Sequence, residues 1–364
     1  MKVGDVSYRT IFLDEDGWGV RVIDQTMLPH RFEVRRLESV DDVSRAIQTM
    51  VVRGAPLIGA AAAYGVALAM RADPSDASLE RSIERLASTR ITAVNLRWAL
   101  HRLGEIVRKV TPGGRADAAY RAAAALCDED VELNQAIGDH GLEIVRELAV
   151  AAEGRPLNIL THCNAGWLAT VDWGTATAPM YKAHDAGFDL HVWVDETRPR
   201  LQGAALTAWE LGEHGVPHTL IPDSAAAHIM HRGEVDVVIV GTDRTTASGD
   251  VTNKIGTYPL ALAAADNGVP FYVAAPSPSI DWQTEDATRI PIEERDASEV
   301  TSVRGFASDG EVGAVTIAPA DTGAVNYAFD VTPRHLLAGL ITERGVCRAS
   351  RDGLSLLFSE HAST

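Results

Sequence analysis

The chain has 364 residues, longer than one hydrophobic core usually grows, and 46% of them are hydrophobic, so two domains with a filled core each are expected. Lys and Arg number 33 against 50 Asp and Glu, and the resulting net charge of −17 repels nucleic acid and anionic lipid, so an anionic substrate needs a few placed cations. Three scattered cysteines, Cys127, Cys163 and Cys347, exclude a disulfide framework, and the opening MKVGDVSYRTIFLDEDGWGV has no apolar signal core, so a cytoplasmic setting is expected.

From the N-terminus, VSYRTIFLDED and WGVRVIDQTMLP have the character of short strands. Ser39 and Asp42 then form a capping-box pattern that opens a helical region. The apolar run over residues 55–70 is shorter than the ~20 residues that span hydrocarbon and reads as a buried helix. Helical periodicity continues through LERSIERLAS, AVNLRWALHRLGEIVRKV and a long segment after the break at TPGG. EGRP, beginning at Glu153, ends it, which divides the chain into a mainly helical domain with short strands, 1–153, and a second domain, 154–364.

In the second domain the pattern changes to short apolar runs, LNILTH, LHVWVDE, HTLIPD, VDVVIVGTD and PFYVAAP, of the continuous kind that strands buried on both faces show. The helical segments between them each close on a glycine. Strand, loop and helix in repetition predict a Rossmann-like α/β fold with a parallel sheet, whose ligand crevice lies at the carboxyl ends of the strands.

Those ends carry the unusual residues: Cys163 in THCNAG, Asp195 and Gln202 after the second run, Asp223 after the third, and Asp243, Asn253 and Lys254 after the fourth. The segment 242–256 reads as a βα loop longer than the usual ~2 to 6 residues, and such loops tend to be functional. Lys254, one of only four lysines, precedes a helical run and is read as an anion contact at a helix N-terminus. Arg53, Gly54 and Ala55 introduce Pro56 and another helix, so this corner is either a phosphate cradle or a tight helix-helix junction. Arg90 is a third cation, by itself indistinguishable from a solvated arginine. No metal is expected, because zinc needs about four N or S ligands at recognisable spacing and HC adjacency supplies none. His162, next to Cys163 on an extended segment, points to the opposite face and is read as a structural histidine. For Cys163 two readings stand: an inert buried thiol, or half of a proton-handling pair with Asp243, a carboxyl that a dry pocket would keep protonated.

The motifs DQTMLP, MVVRGAPLIGAAAAYG, TAVNLRWAL, THCNAG, VDETRPRLQGAALTAWEL, GTDRTTASGDVTNKIGTYPLALAA, IPIEERDASEVT and AFDVTP resemble, in order, those of the methylthioribose-1-phosphate isomerases of the translation initiation factor 2B-like superfamily. The resemblance implies a homodimer, no cofactor, and conversion of the sugar phosphate 5-methylthioribose 1-phosphate to its ketose isomer in methionine salvage. Position by position, it implies substrate binding by Arg53, Gly54, Ala55, Arg90, Gln202, Asn253 and Lys254, and a catalytic pair of Cys163 and Asp243.

The chain departs from the family pattern at Thr177, Ala178 and Pro179, at SPSIDW with its bulky Trp282, and at Val325 and Tyr327 on either side of Asn326. These departures put the pocket for the sugar's C5 substituent in question. The alternatives are a sister isomerase of 5-deoxyribose 1-phosphate or ribose 1,5-bisphosphate, and a non-catalytic 2B-like subunit.

Overall fold

The computed structural model describes residues 1–90, 93–152, 154–306 and 310–361. Ile91, Thr92 at the start of the TAVNLRWAL stretch, and Glu153 at the expected boundary lie outside the described residues.

The chain opens with a hairpin of β1 (Lys2–Val3) and β2 (Val6–Ser7), then an antiparallel sheet of β3 (Ile11–Leu13), β4 (Val20–Ile23) and β5 (Val34–Leu37). The helical layer follows as α1 (Val40–Gln48), α2 (Ala55–Ala72), α3 (Asp76–Ala87), α4 (Val94–Arg108) and α5 (Arg115–Ala151). Ser39 caps α1 as its pattern predicts, its hydroxyl accepting from the Asp42 N–H at 3.1 Å while the Asp42 carboxylate accepts from the Glu38 N–H at 3.2 Å.

α2 is the centre of this layer. Its alanines and glycines present no bulky face, so α1, α3, α4 and α5 all pack around it. Among the described residues it is the one helix long and apolar enough to cross a membrane, yet 83% of that stretch is buried inside the chain, as a core helix is. The very long α5 also packs against the second half of the chain, so one helix touches both cores.

The second half is built on β6 (Leu157–Thr161), β7 (Leu190–Asp195), β8 (His218–Ile221), β9 (Val237–Val240), β12 (Phe271–Ala274), β17 (Gly339–Thr342) and β18 (Gly345–Cys347). In space they run β8-β7-β6-β9-β12-β17-β18, the first six parallel and β18 an antiparallel edge. The chain thus starts in the middle and winds outward both ways, placing the topological switch between the carboxyl ends of β6 and β9. Helices α6 (Ala178–Asp185), α7 (Ala208–His214), α8 (Ala226–His231) and α9 (Thr257–Asp266) each lead into a glycine in the left-handed region, Gly187, Gly215, Gly233 and Gly268.

One element differs from expectation. The segment 242–256 is not a long loop but contains an antiparallel pair, β10 (Arg244–Thr246) and β11 (Val251–Lys254), inside a second sheet ordered β13 (Ile280–Asp281), β10, β11, β16 (Phe329–Thr332). Partners far along the chain satisfy its backbone, which is why its polar residues sit buried in strands. Beyond it α10 (Ser298–Thr301) and the hairpin of β14 (Ser302–Phe306) and β15 (Val312–Thr316) reach back over the N-terminal part of the chain, where Phe306 stacks on His30 at 5.1 Å.

Candidate active site

Cys163 stands directly beyond β6 and Asp243 beyond β9, at the switch point. Cys163 is held in the left-handed region at φ +67°, a costly conformation for a residue with a Cβ. Two threonines fix it there: the Cys163 N–H donates to Thr197 Oγ1 at 2.8 Å, and Thr207 Oγ1 donates to the Cys163 carbonyl at 2.7 Å. Its Sγ lies 3.8 Å from Gln202 Oε1. Gln202 can approach because Gly203 follows it, where a Cβ would stand 1.7 Å from the Asp195 carbonyl oxygen.

Arg53 is 8% exposed and bonds Asn164 twice, through the side-chain oxygen and, at 2.8 Å, the carbonyl, while its Nε has no partner. Gly54 follows at φ +95° and caps α2, and a Cβ there would lie 2.4 Å from the Ala169 oxygen. The first turn of α2 carries no acidic residue and no side-chain cap, which leaves its N–H groups and positive end for an anion. The tight-junction reading and the cradle reading of this corner therefore apply to different atoms of it.

Two small cavities meet at this helix end. Cys163, Asp243, Arg53, Asn253 and Gly54 line one; Asp243, Arg90, Gly54 and Ala55 line the other, each of about 40 Å³. A third of about 500 Å³, in the size range of small-molecule sites, shares Arg53 and extends past Gln202 and Met50 to the β14–β15 hairpin. Lys254 lines none of the three, yet it is 5% exposed and its charge acts on both Cys163 and Asp243.

Burial sets the protonation of this pair. It pushes the Cys163 thiol above its ordinary value against the pull of Arg53 and Lys254, so the thiol form is favoured. It also lifts the Asp243 carboxyl, opposed by Arg90, Arg53 and Lys254 and reinforced by Glu293. Burial lowers Lys254 in turn. The arrangement offers a buried acid that can give up a proton, a thiol beside it, and cations placed for an anion.

Lys254 does not work through a helix N-terminus as its sequence position indicates. It ends β11, and the N-terminus of α9 is closed by the chain's own Asp330, whose carboxylate accepts from the Gly256 N–H at 2.8 Å and the Tyr258 N–H at 3.1 Å. Asn253 donates to Thr257 Oγ1 at 3.0 Å. His162 is fully engaged, with Nδ1 at 2.9 Å from Asp195 and Nε2 at 2.9 Å from the Ile255 carbonyl. With Asp223 these form one group among the described residues whose atoms lie close enough for a metal. Asp223, however, already accepts from the Thr197 and Arg198 N–H groups, so hydrogen bonding within the protein engages both Asp223 oxygens and both His162 nitrogens, while Asp195 Oδ1 has no partner.

Most of the departures from the family pattern lie elsewhere. Pro179 packs against Gly141 of α5, Trp282 stacks on His361 at 4.2 Å, and Val325 and Tyr327 face outward, so none of these lines the three cavities. Ser279 of the divergent SPSIDW segment does line the cavity of Cys163 and Asp243, so the pocket question narrows to that segment. Asn326 is buried and donates to the Asp296 carbonyl and to Glu299, both at 2.9 Å.

A model of the initiation factor 2 subunit family matches residues 51–349. The chain belongs to that family. Within it, the chain is 61% identical over its full length to the methylthioribose-1-phosphate isomerase of Acidiphilium cryptum, covering 99% of that protein. The corresponding protein of Rhodospirillum rubrum is also 61% identical, across all of this chain and 94% of that one. Among solved members, the 5-methylthioribose 1-phosphate isomerase of Pyrococcus horikoshii OT3 superposes with a TM-score of 0.83 at 41% identity, covering 98% of this chain and 97% of that one. The eIF-2B delta subunit of A. fulgidus superposes at 0.80 with 40% identity, covering 97% and 100%.

Sequence reasoning missed four residues that shape the candidate site: Asn164, Thr197, Thr207 and Glu293. Asn164 was visible within THCNAG, whereas the other three act on residues far from them in the chain.

Proposed function

We propose that the chain is an aldose–ketose isomerase that converts 5-methylthioribose 1-phosphate to 5-methylthioribulose 1-phosphate, a methionine-salvage step, working in the cytoplasm as a homodimer without metal or nucleotide. Full-length 61% identity to proteins of that name, with a protonatable carboxyl and a buried thiol meeting at the switch point of the sheet, carries the reading.

The substrate is a locked acetal with no free aldehyde, so its ring must open first. Asp243, protonated in its buried setting, donates to the ring oxygen as the C1–O bond breaks. The N-terminus of α2 with Arg53 and Arg90 takes the phosphate, which stays on C1, while Gln202, Asn253 and Lys254 hold the sugar. Hydrogen then moves from C2 to C1. A thiol held above its ordinary value is a poor base, which favours a direct hydride shift past Cys163, with the C2 hydroxyl proton returning to the Asp243 carboxylate. Deuterium from the solvent entering C1 would refute that route.

Assays of 5-methylthioribose 1-phosphate, 5-deoxyribose 1-phosphate and ribose 1,5-bisphosphate at matched concentration test the substrate; the methylthio sugar turning over most slowly would overturn the proposal. Asp243→Asn is expected to lower kcat by about 10²- to 10⁴-fold. Likeness to the eIF-2B delta subunit supports a second reading, a non-catalytic subunit, which absence of turnover of all three sugar phosphates by the wild type would favour.

A further inference from the structure

Residues 287–301 form a strap beside the site: Ile290 and Pro291 line the cavity of Asp243 and Arg90, Ser298 and Glu299 line the large one, and ion pairs to Arg90 and Arg200 tie it down. Its Arg295 bonds Glu299 through Nε at 3.0 Å and Nη2 at 2.8 Å, and Glu299 also receives Arg200 at 2.6 Å. The same Arg295 holds one oxygen of Glu293 at 3.1 Å, and the other oxygen of Glu293 receives Arg90 at 3.2 Å. Arg90 shares a cavity with Asp243 and the first turn of α2, and both partners of the Arg90–Glu293 pair are mostly buried, at 14% and 20% exposure.

A second carboxylate is therefore placed where an incoming phosphate must contend with it. Asp243 is faced by Arg53 ahead of α2, Arg90 ahead of α4, Lys254 on β11, the Cys163 thiol beyond β6, and Glu293 on the strap. Arg244, its chain neighbour, is paired with Asp281 at 3.5 Å. Of these groups Glu293 supplies the carboxylate that offsets the three cations.

We propose that Glu293 is a positioning residue for the isomerisation: it occupies Arg90 until the substrate phosphate takes that guanidinium, and its carboxylate offsets the cations gathered around Asp243. This rests on the isomerase reading above. Removing the charge then has two opposite effects. The anion site becomes more positive and binds phosphate more tightly, while Asp243 gives up its proton at lower pH and the acid form is lost sooner as pH rises.

The test compares wild type, Glu293→Gln and Glu293→Asp in two measurements: inorganic phosphate binding by calorimetry, and kcat and KM against pH with 5-methylthioribose 1-phosphate. Glu293→Gln is expected to bind phosphate about three- to tenfold more tightly, the size of a charge effect at a partly buried pair. Its kcat should fall away at lower pH than that of wild type as pH rises, with KM lowered. Glu293→Asp should restore the wild-type alkaline limb. Unchanged or weaker phosphate binding in the Gln variant, or an equal loss of kcat at every pH, would overturn the inference. If the wild type fails to turn over the sugar phosphate, the isomerase reading fails, and the phosphate titration alone still decides the role of Glu293.

Discussion

Glu210 on α7 is 1% exposed beneath the Cys163 loop, close enough to Gly166 that a Cβ there would lie 1.4 Å from Glu210 Oε1. Its Oε2 accepts from the Leu168 N–H at 3.1 Å, and Oε1 has no partner. Burial lifts this carboxyl from 4.5 to about 7. At about 1.4 kcal/mol for each tenfold change, charging it in the folded chain costs about 3 kcal/mol more than charging it unfolded. Because the folded value is the higher one, that stability is fully present below about pH 4.5 and is lost as pH rises through about 7. Glu210→Gln keeps the shape and can still accept from Leu168, but it never charges. Between about pH 5 and pH 8.5 the variant should therefore gain about 2.5 kcal/mol relative to wild type, the part of that loss falling in this window. Asp130, lifted to about 7 by burial, titrates in both proteins and cancels. Urea unfolding followed by tryptophan fluorescence, at one fixed protein concentration and several pH values, measures the difference. Parallel curves for the two proteins would refute the reasoning, since they would mean that Glu210 folds already charged.

Gly54→Ala forces a Cβ at φ +95° against the Ala169 backbone, with an expected cost of about 2 to 5 kcal/mol and loss of turnover; an active variant with unchanged melting would contradict the role given to this turn. Asp195→Ala strips the buried His162 ring of its Nδ1 partner and should cost about 3 to 5 kcal/mol in denaturant unfolding, while a loss below about 1 kcal/mol would show the pair to be dispensable.

Much of this fold is legible in the chain because its determinants are local. A short, β-branched, unbroken run such as VVIV favours a strand covered on both faces, and β9 is wholly buried. The strand ends, and so the placing of Cys163 and Asp243 at a common rim, follow from the same runs. The second sheet was illegible for the opposite reason. β10 and β11 are short and polar, and they become strands through pairing with β13 and β16, which no nearby residue signals.

Residue chemistry by itself determined the α/β class, the buried nature of α2, and a set of cations and acids available to a sugar phosphate. Tertiary structure decided how they act. Winding outward from β6 in both directions made Cys163 and Asp243 neighbours, because parallel pairing joins strands across long connections. It also gave the α9 N-terminus to Asp330 rather than to a ligand, and it brought Glu293 to Arg90. Charge and burial act through space, so which carboxyl holds a proton depends on neighbours that the order of residues does not supply.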